Sequence, residues 1–258
     1  MIKPEFPNSA FVSAPERLVL KGGRWKSLHI PVRYGRFDHR VYGRCLIDTG
    51  YSPRVTEGKR SLPLWLYSKV LSPKLTNRAL PAADPAANVI LLSHLHADHV
   101  SALKDYPGAR IFADGAAIDH FLSKGWIGRT HKGCFRELLP DNLRENVVRF
   151  ETLPRQEAPM GLGEAADIFG DGSVLAVPLP GHMRGHTGFL FTNPVTPILY
   201  AADADWLSRA ILEDRSPGYP AKGILNDKAA ARQTSIRIRN FVSLGGRLVL
   251  CHDPEVPE

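Results

Sequence analysis

Four short clusters hold the residue types that bind cations and move protons. They are Ser93-His94-Leu95-His96-Ala97-Asp98-His99, Pro180-Gly181-His182-Met183-Arg184-Gly185-His186-Thr187, Ala202-Asp203-Ala204-Asp205-Trp206 and Cys251-His252-Asp253-Pro254. Zn²⁺ and similar cations take imidazole nitrogen and carboxylate oxygen. Two cations about 3.5–4 Å apart need about seven protein ligands, one of them shared. His94 and His96 are two apart, so in an extended segment they point the same way. Asp98 and His99 follow where the chain turns into the next helix, and they face a second point. His186, Asp203 and His252 complete the set from three other strand ends. One buried histidine is usually a hydrogen-bonded core residue. Three histidines in six positions with an aspartate among them are another matter, because a core gains nothing from polar groups there.

Each cluster begins at the end of a predicted strand or just beyond it, where a rigid sheet can hold a functional loop. Val89-Ile90-Leu91-Leu92 is a continuous apolar run, as in a strand buried on both faces. Arg17–Leu20, Leu28–Tyr34, Arg44–Ile47, Ala109–Ala113, Val147–Leu153, Ser173–Pro178, Gly188–Thr192, Ile198–Ala202 and Arg247–Cys251 are further predicted strands. Helices are predicted at Leu62–Leu71 and Ala116–Lys124. A third, capped by Asn226 or Asp227, carries Ala231, Thr234, Ile238, Phe241 and Val242 on one face and stops at Gly245-Gly246. The stretches 80–87, with its prolines and alanines, and 207–225 read as loops. Helices fall between strands, which makes the class mixed α and β with sheets at the centre.

The chain has 258 residues, 43% hydrophobic and 23% charged, which suits one large domain with a sizeable core. We expect a single domain over 1–258. No apolar run approaches the ~18 residues of a membrane span, and the N-terminus lacks the apolar region of a secretory signal. Three dispersed cysteines, Cys45, Cys134 and Cys251, read as reduced thiols and point to the cytoplasm. The net charge of +7 arises in the first 60 residues, where 12 Lys and Arg face 5 Asp and Glu. Those charges alternate with apolar residues, as on solvated strand faces, so no nucleic-acid partner is expected.

Together these motifs resemble the metallo-β-lactamase superfamily, whose mark is His-x-His-x-Asp-His. The resemblance runs from Arg17 to His252. It implies an α/β (α+β) fold, a four-layer αββα sandwich, and two divalent metal ions, zinc first with Mn or Fe as alternatives. Carried over by position, His94, His96 and His186 hold one metal, Asp98, His99 and His252 the other, and Asp203 bridges them. Asp48, in Asp48-Thr49-Gly50, would orient the histidine loop, and His182 would support it from the side.

The layout is most similar to the N-acyl homoserine lactonase branch, on its length, Asp-Thr-Gly, the seven ligands and Pro107-Gly108-Ala109-Arg110-Ile111. Such lactonases commonly carry Tyr three residues after the bridging aspartate. Here that position is Trp206, whose indole N–H can donate but is not acidic. The implied reaction is hydrolysis of a small-molecule lactone or ester, such as a quorum-quenching lactonase performs. A hydroxide formed between the metals attacks the carbonyl, and Asp98 and Asp203 are the catalytic carboxylates. Arg184 and Trp206 are candidate substrate contacts. A phosphodiesterase or nuclease of the same fold, or a thioester hydrolase like glyoxalase II, is the alternative. The sequence leaves the oligomeric state open, a homodimer included.

Overall fold

The computed structural model describes residues 2–192, 195–215, 217–218 and 221–255. The described chain divides into two compact units, the first built from residues 3–13 and 31–149, the second from residue 2, residues 14–30 and the described residues from 150 to 255. Both contain sheets and helices, as the sequence predicts.

In the first unit, β1 (Asn8–Pro15) leads the chain out through α1 (Glu16–Val19), and β2 (Ser27–Arg33) brings it back. Then come β3 (Gly35–His39), β4 (Gly43–Ile47), α2 (Pro53–Thr56), α3 (Leu62–Leu71) and β5 (Lys74–Leu75). The remainder is β6 (Val89–Leu91), α4 (Ala97–Val100), β7 (Arg110–Ala113), α5 (Gly115–Ser123), α6 (Trp126–Thr130), α7 (Leu143–Asn146) and β8 (Val148–Arg149). The main sheet has the order β3-β4-β6-β7-β8. Only its β3–β4 edge is antiparallel; β4, β6, β7 and β8 run parallel. All three residues of β6 are buried, as expected for a central parallel strand covered on both faces. The parallel run also brings the C-terminal ends of β4 and β6 to one edge, with Ile47 paired to Leu91. Asp48 and the histidine loop therefore start side by side.

The second unit holds β9 (Arg155–Ala158), β10 (Gly163–Asp167), β11 (Val174–Pro178), β12 (Thr187–Phe191), β13 (Ile198–Tyr200), α8 (Ser208–Leu212), α9 (Lys228–Ser243) and β14 (Arg247–Val249). These strands form one sheet in the order β14-β13-β12-β11-β10-β9. It is antiparallel except for β13–β14, which are parallel. Its core joins Leu175, Leu190 and Leu199 of the strands to Ile238 and Phe241 of α9. Asp227 caps α9 by accepting the N–H groups of Ala229 and Ala230 at 2.9 and 3.0 Å, which settles the choice between Asn226 and Asp227.

Three local expectations are corrected. Arg17–Leu20 lies mostly in α1, because an apolar stretch this short has no period that separates one helical turn from a strand. Within Val147–Leu153, β8 gives way to a 3₁₀ turn over Phe150–Thr152. The stretch 207–225 contains α8 and a 3₁₀ turn over Ala221–Gly223; its residues 216, 219 and 220 lie outside the described residues. The hairpin β9–β10 was not foreseen, since Arg155, Gln156 and Glu157 are all exposed and show no alternating apolar signal.

Candidate metal centre

In the first unit, the loop after β6 carries His94 and His96, and α4 carries Asp98 and His99. His94 Nε2 lies 2.9 Å from His96 Nδ1, and the His94 and His99 ring centroids are 4.0 Å apart. Asp48 organises this group from the end of β4. One of its oxygens accepts the Ser93 backbone N–H at 2.8 Å. The other accepts the Ser93 hydroxyl at 2.7 Å and faces His99 Nδ1 at 2.8 Å. A carboxylate only accepts, so His99 Nδ1 carries the hydrogen and Nε2 keeps its lone pair. Ser93 has one proton, given to Asp48, so its oxygen accepts from His94 Nδ1 at 2.9 Å and fixes that tautomer in the same sense. Sequence reasoning gave Ser93 no role, although it directly precedes His94 and links that ring to Asp48.

Backbone conformation holds this arrangement. Asp48 has φ 58°, a left-handed setting that Asp and Asn tolerate better than other residues with a Cβ. Gly50 has φ 59°, and a Cβ there would lie 2.3 Å from Ser9 Oγ. Thr49 donates through both its N–H and its hydroxyl to the His99 carbonyl, at 2.7 and 3.0 Å. The Asp-Thr-Gly turn is thus clamped to the end of the short helix that carries Asp98 and His99. Beside it, Tyr67 shares a 2.8 Å hydrogen bond with Tyr51. Burial pushes the Tyr67 phenol well above its usual pKa, and the nearby Asp98 adds to the effect.

In the second unit, strand register assembles the donors. Phe189 of β12 pairs with Tyr200 of β13, and continuing that antiparallel register sets His186 opposite Asp203. Tyr200 pairs with Val249 of β14, and the parallel register continued sets Asp203 beside His252. The contacts agree. The Asp203 backbone N–H donates to His186 Nε2 at 3.1 Å, and His186 Nδ1 donates to the Leu179 carbonyl at 2.8 Å. His252 Nε2 lies 3.2 Å from Asp203 Oδ2. His182 Nε2 lies 3.5 Å from the same oxygen, so both histidines of the Pro-Gly-His-x-x-Gly-His turn flank Asp203. The turn is docked on α9: Thr234 Oγ1 donates to the Pro180 carbonyl at 2.7 Å, and the Asp227 N–H to the Gly181 carbonyl at 3.0 Å.

The donor chemistry fits divalent cations. Imidazole nitrogens and carboxylates bound at about 2.0–2.2 Å must themselves lie a few ångströms apart. One ligand atom each of Asp203, His252 and Cys251 lies within 4.8 Å of the others. Cys251 is buried and lies outside any disulfide. The sequence offered no second cysteine near it and gave no reason to count it; the sheet edge puts it beside two donors.

A cavity of about 250 Å³ opens within the second unit beside His182, Asp203, Asp205 and Trp206. Asp205 is buried, and that burial pushes its carboxyl up to about 7, with Asp253 adding to the effect. Asp205 Oδ1 accepts the Trp206 backbone N–H at 2.7 Å, whereas Asp253 accepts the Ser208 N–H at 2.8 Å. Arg184, expected at the mouth, is exposed and does not line this cavity, whose wall carries Lys222, Lys228 and Arg232 instead.

Residues 43–241 match the family model described as "Metallo-beta-lactamase superfamily". The chain is similar to N-acyl homoserine lactonase AttM of Azorhizobium caulinodans, 26% identical over 174 residues, which are 67% of this chain and 60% of that protein. It is likewise similar to AttM of Rhizobium johnstonii, 25% identical over 173 residues, 66% of this chain and 60% of that one. The match therefore spans about 60% of the length of these curated relatives. Among solved structures, a variant of AiiA from B. thuringiensis with N-decanoyl-L-homoserine bound at its active site gives a TM-score of 0.71 at 18% identity, covering 98% of this chain and 94% of that one. A probable metal-dependent hydrolase from Staphylococcus aureus gives 0.71 at 14% identity, covering 98% and 89%. At these identities the likeness establishes the fold.

Proposed function

The chain belongs to the metallo-β-lactamase superfamily, and from that premise we propose that it is a metal-dependent hydrolase of a lactone or ester carbonyl, with an N-acyl homoserine lactone as first-choice substrate. One observation carries the reading: each unit gathers buried histidine and aspartate donors at a single sheet edge, oriented by hydrogen bonds to Asp48 in one and by strand register in the other.

In this reading the chain acts as a single domain, and its two donor sets serve one dinuclear centre. His94, His96 and His186 would hold one ion, Asp98, His99 and His252 the other, with Asp203 serving both. Zinc is the first choice, and Mn or Fe suits the same donors. Bound ions would supply Lewis acidity to a carbonyl oxygen and lower the pKa of a water to about 7.

The remaining work falls to side chains. Asp48 keeps His99 in the tautomer that presents Nε2. Asp98, in the first turn of α4, takes and returns a proton as the carbonyl opens. Trp206, on the cavity wall, donates its indole N–H where related lactonases use a phenol. The lactonase relatives support a small-molecule substrate, and hydrolysis of signal lactones would quench quorum signalling. Three buried cysteines outside any disulfide support a reducing compartment, the cytoplasm. Among the described residues no helix is long and apolar enough to cross a membrane.

Elemental analysis of the purified protein, with a panel of homoserine lactones of several chain lengths, aryl esters and bis-p-nitrophenyl phosphate, tests this function. We expect bound transition metal and chelator-sensitive turnover of lactone or ester. Phosphodiester turnover with a silent carbonyl panel overturns the choice of substrate. Absence of metal, with no uptake on adding any, overturns the whole reading.

A further inference from the structure

The cavity beside Asp203 differs from floor to rim. Its floor carries the buried carboxylates Asp203 and Asp205, at 4% and 8% exposure. One wall is a single face of α9, where Lys228, Ala231, Arg232 and Ser235 recur at the three- and four-residue spacing of a helix side. Lys222 adds a third cation, and Trp206 and Leu225 supply apolar surface between the levels. Lys222, Lys228 and Arg232 are exposed. Among the described residues none of the three is held in an ion pair. Asp214, the remaining acid of the lining, has Arg239 3.6 Å away. The α9 N-terminus is occupied by its own cap, Asp227, so the side chains of this face, not the helix end, are what a ligand meets.

A neutral acyl chain gains nothing from two cations projecting from one helix face. An anion does: Arg232 offers a planar fork that matches a carboxylate or phosphate, and Lys228 a mobile point charge one turn away. We propose that this cavity binds an anionic terminus, carboxylate or phosphate, at the far end of a short acyl chain, with Lys228 and Arg232 as the specificity-determining residues. The enzyme would then prefer lactones and esters whose acyl part carries a negative charge remote from the reacting carbonyl. The substrate side of this inference rests on the hydrolase reading above; the anion site itself does not. At about 250 Å³ the cavity lies just below the usual range for small-molecule sites, which starts near 300 Å³, so a short chain suits it.

The test pairs p-nitrophenyl hexanoate with the p-nitrophenyl monoester of adipic acid, which has the same chain length and a terminal carboxylate. The wild type should favour the adipate ester by about tenfold or more in kcat/KM, through KM, and the preference should shrink with added salt. Lys228→Gln with Arg232→Gln should collapse that ratio, and Arg232→Glu should invert it. Both sites are exposed helix positions, so folding is retained. Lys69→Gln, outside the cavity, should keep the ratio. A wild type without preference, or a preference that survives the double variant, overturns the proposal.

If neither ester turns over, calorimetry decides the anion site without turnover, and the hydrolase reading stands or falls on the lactone panel above. Adipate and inorganic phosphate are each titrated into wild type and double variant. Binding weakened at least about tenfold by the double substitution supports the site, and the tighter of the two anions identifies the terminus it takes. Equal binding to both proteins, or none to the wild type, overturns it.

Discussion

The two units build their donor groups by different means. In the first, four donors lie within six consecutive residues, and one turn of chain after β6 presents them. In the second, His186, Asp203 and His252 are far apart in sequence, and the ladders β12–β13 and β13–β14 bring them into one row. A local motif tolerates distant change and fails when its own loop is disturbed. A donor row assembled by register fails whenever a strand slips, because a one-residue slip turns each side chain to the opposite face. The first unit should therefore be vulnerable at its supporting carboxylate, and the second at the contacts that lock its turn and sheet edge.

The largest effect is expected at Asp203, where His182 and His252 meet one carboxylate. Asp203→Ala should remove metal and activity together, with activity falling by at least about 10³-fold, more than the 10–100-fold typical of an outer partner. Asp205→Ala, whose carboxylate engages the Trp206 backbone instead, should leave metal content intact. Metal analysis of the two variants decides between the aspartates. Metal lost from Asp205→Ala and kept in Asp203→Ala would transfer the ligand role and break the register argument.

Next comes the turn that carries His182 and His186. Gly181 has φ 136°, and a Cβ there would meet the Ala231 backbone at 2.3 Å. At Gly50 the clash is with the Ser9 side chain, and φ 59° lies in the left-handed region that a residue with a Cβ can enter, whereas φ 136° is open essentially to glycine alone. Gly181→Ala should cost about 3 kcal/mol in chemical denaturation, and Gly50→Ala less. Equal costs would mean that α9 does not brace the second unit's donors. A smaller loss is expected for Asp48→Asn. Asn accepts the left-handed backbone, yet it loses the charge that faces Ser93 and His99. Metal affinity should drop about 10–100-fold with little change in unfolding midpoint. A fall in midpoint without a fall in affinity would make Asp48 a plain structural residue.

How far the molecule was legible in its sequence follows the same division. His94 to His99 could be read directly because spacing and local conformation are one problem there. α9 was legible from its cap candidates Asn226 and Asp227, its apolar period and Gly245-Gly246. The row in the second unit was visible as residue types at strand ends, but register is a property of pairing. No local signal showed that Cys251 would join Asp203 and His252, or that both His182 and His186 would flank Asp203. The cavity wall escaped notice because Lys228 and Arg232 on an exposed helix read as an ordinary solvated face. Arg184 attracted attention by its neighbourhood to His186, yet it points to solvent. α1 and the hairpin β9–β10 were lost to shortness and to exposed polar sequence, where hydrophobic periodicity carries no information.

The smallest expected effect concerns stability rather than the metal centre, and it singles out the first unit. Burial pushes the thiols of Cys45 and Cys134 up to about 12, and both belong to that unit. A thiol held protonated by burial loses its proton later than the same thiol in the unfolded chain. Its contribution is therefore complete below pH 9 and declines as pH rises from about 9 towards 12. The buried Tyr34 phenol, ordinarily near 10 and raised to about 12, joins only at the upper end. Between pH 8 and 9.5 each thiol should cost about 1 kcal/mol or less, read as a falling urea midpoint. Hydrogen exchange should show protection lost first in β4 and in the segment around Cys134. The Cys45→Ala, Cys134→Ala double variant should start less stable, because two buried groups are cut back, and then lose less over the same pH range. An identical pH slope for wild type and variant would show that alkaline loss arises elsewhere and would remove this asymmetry between the units.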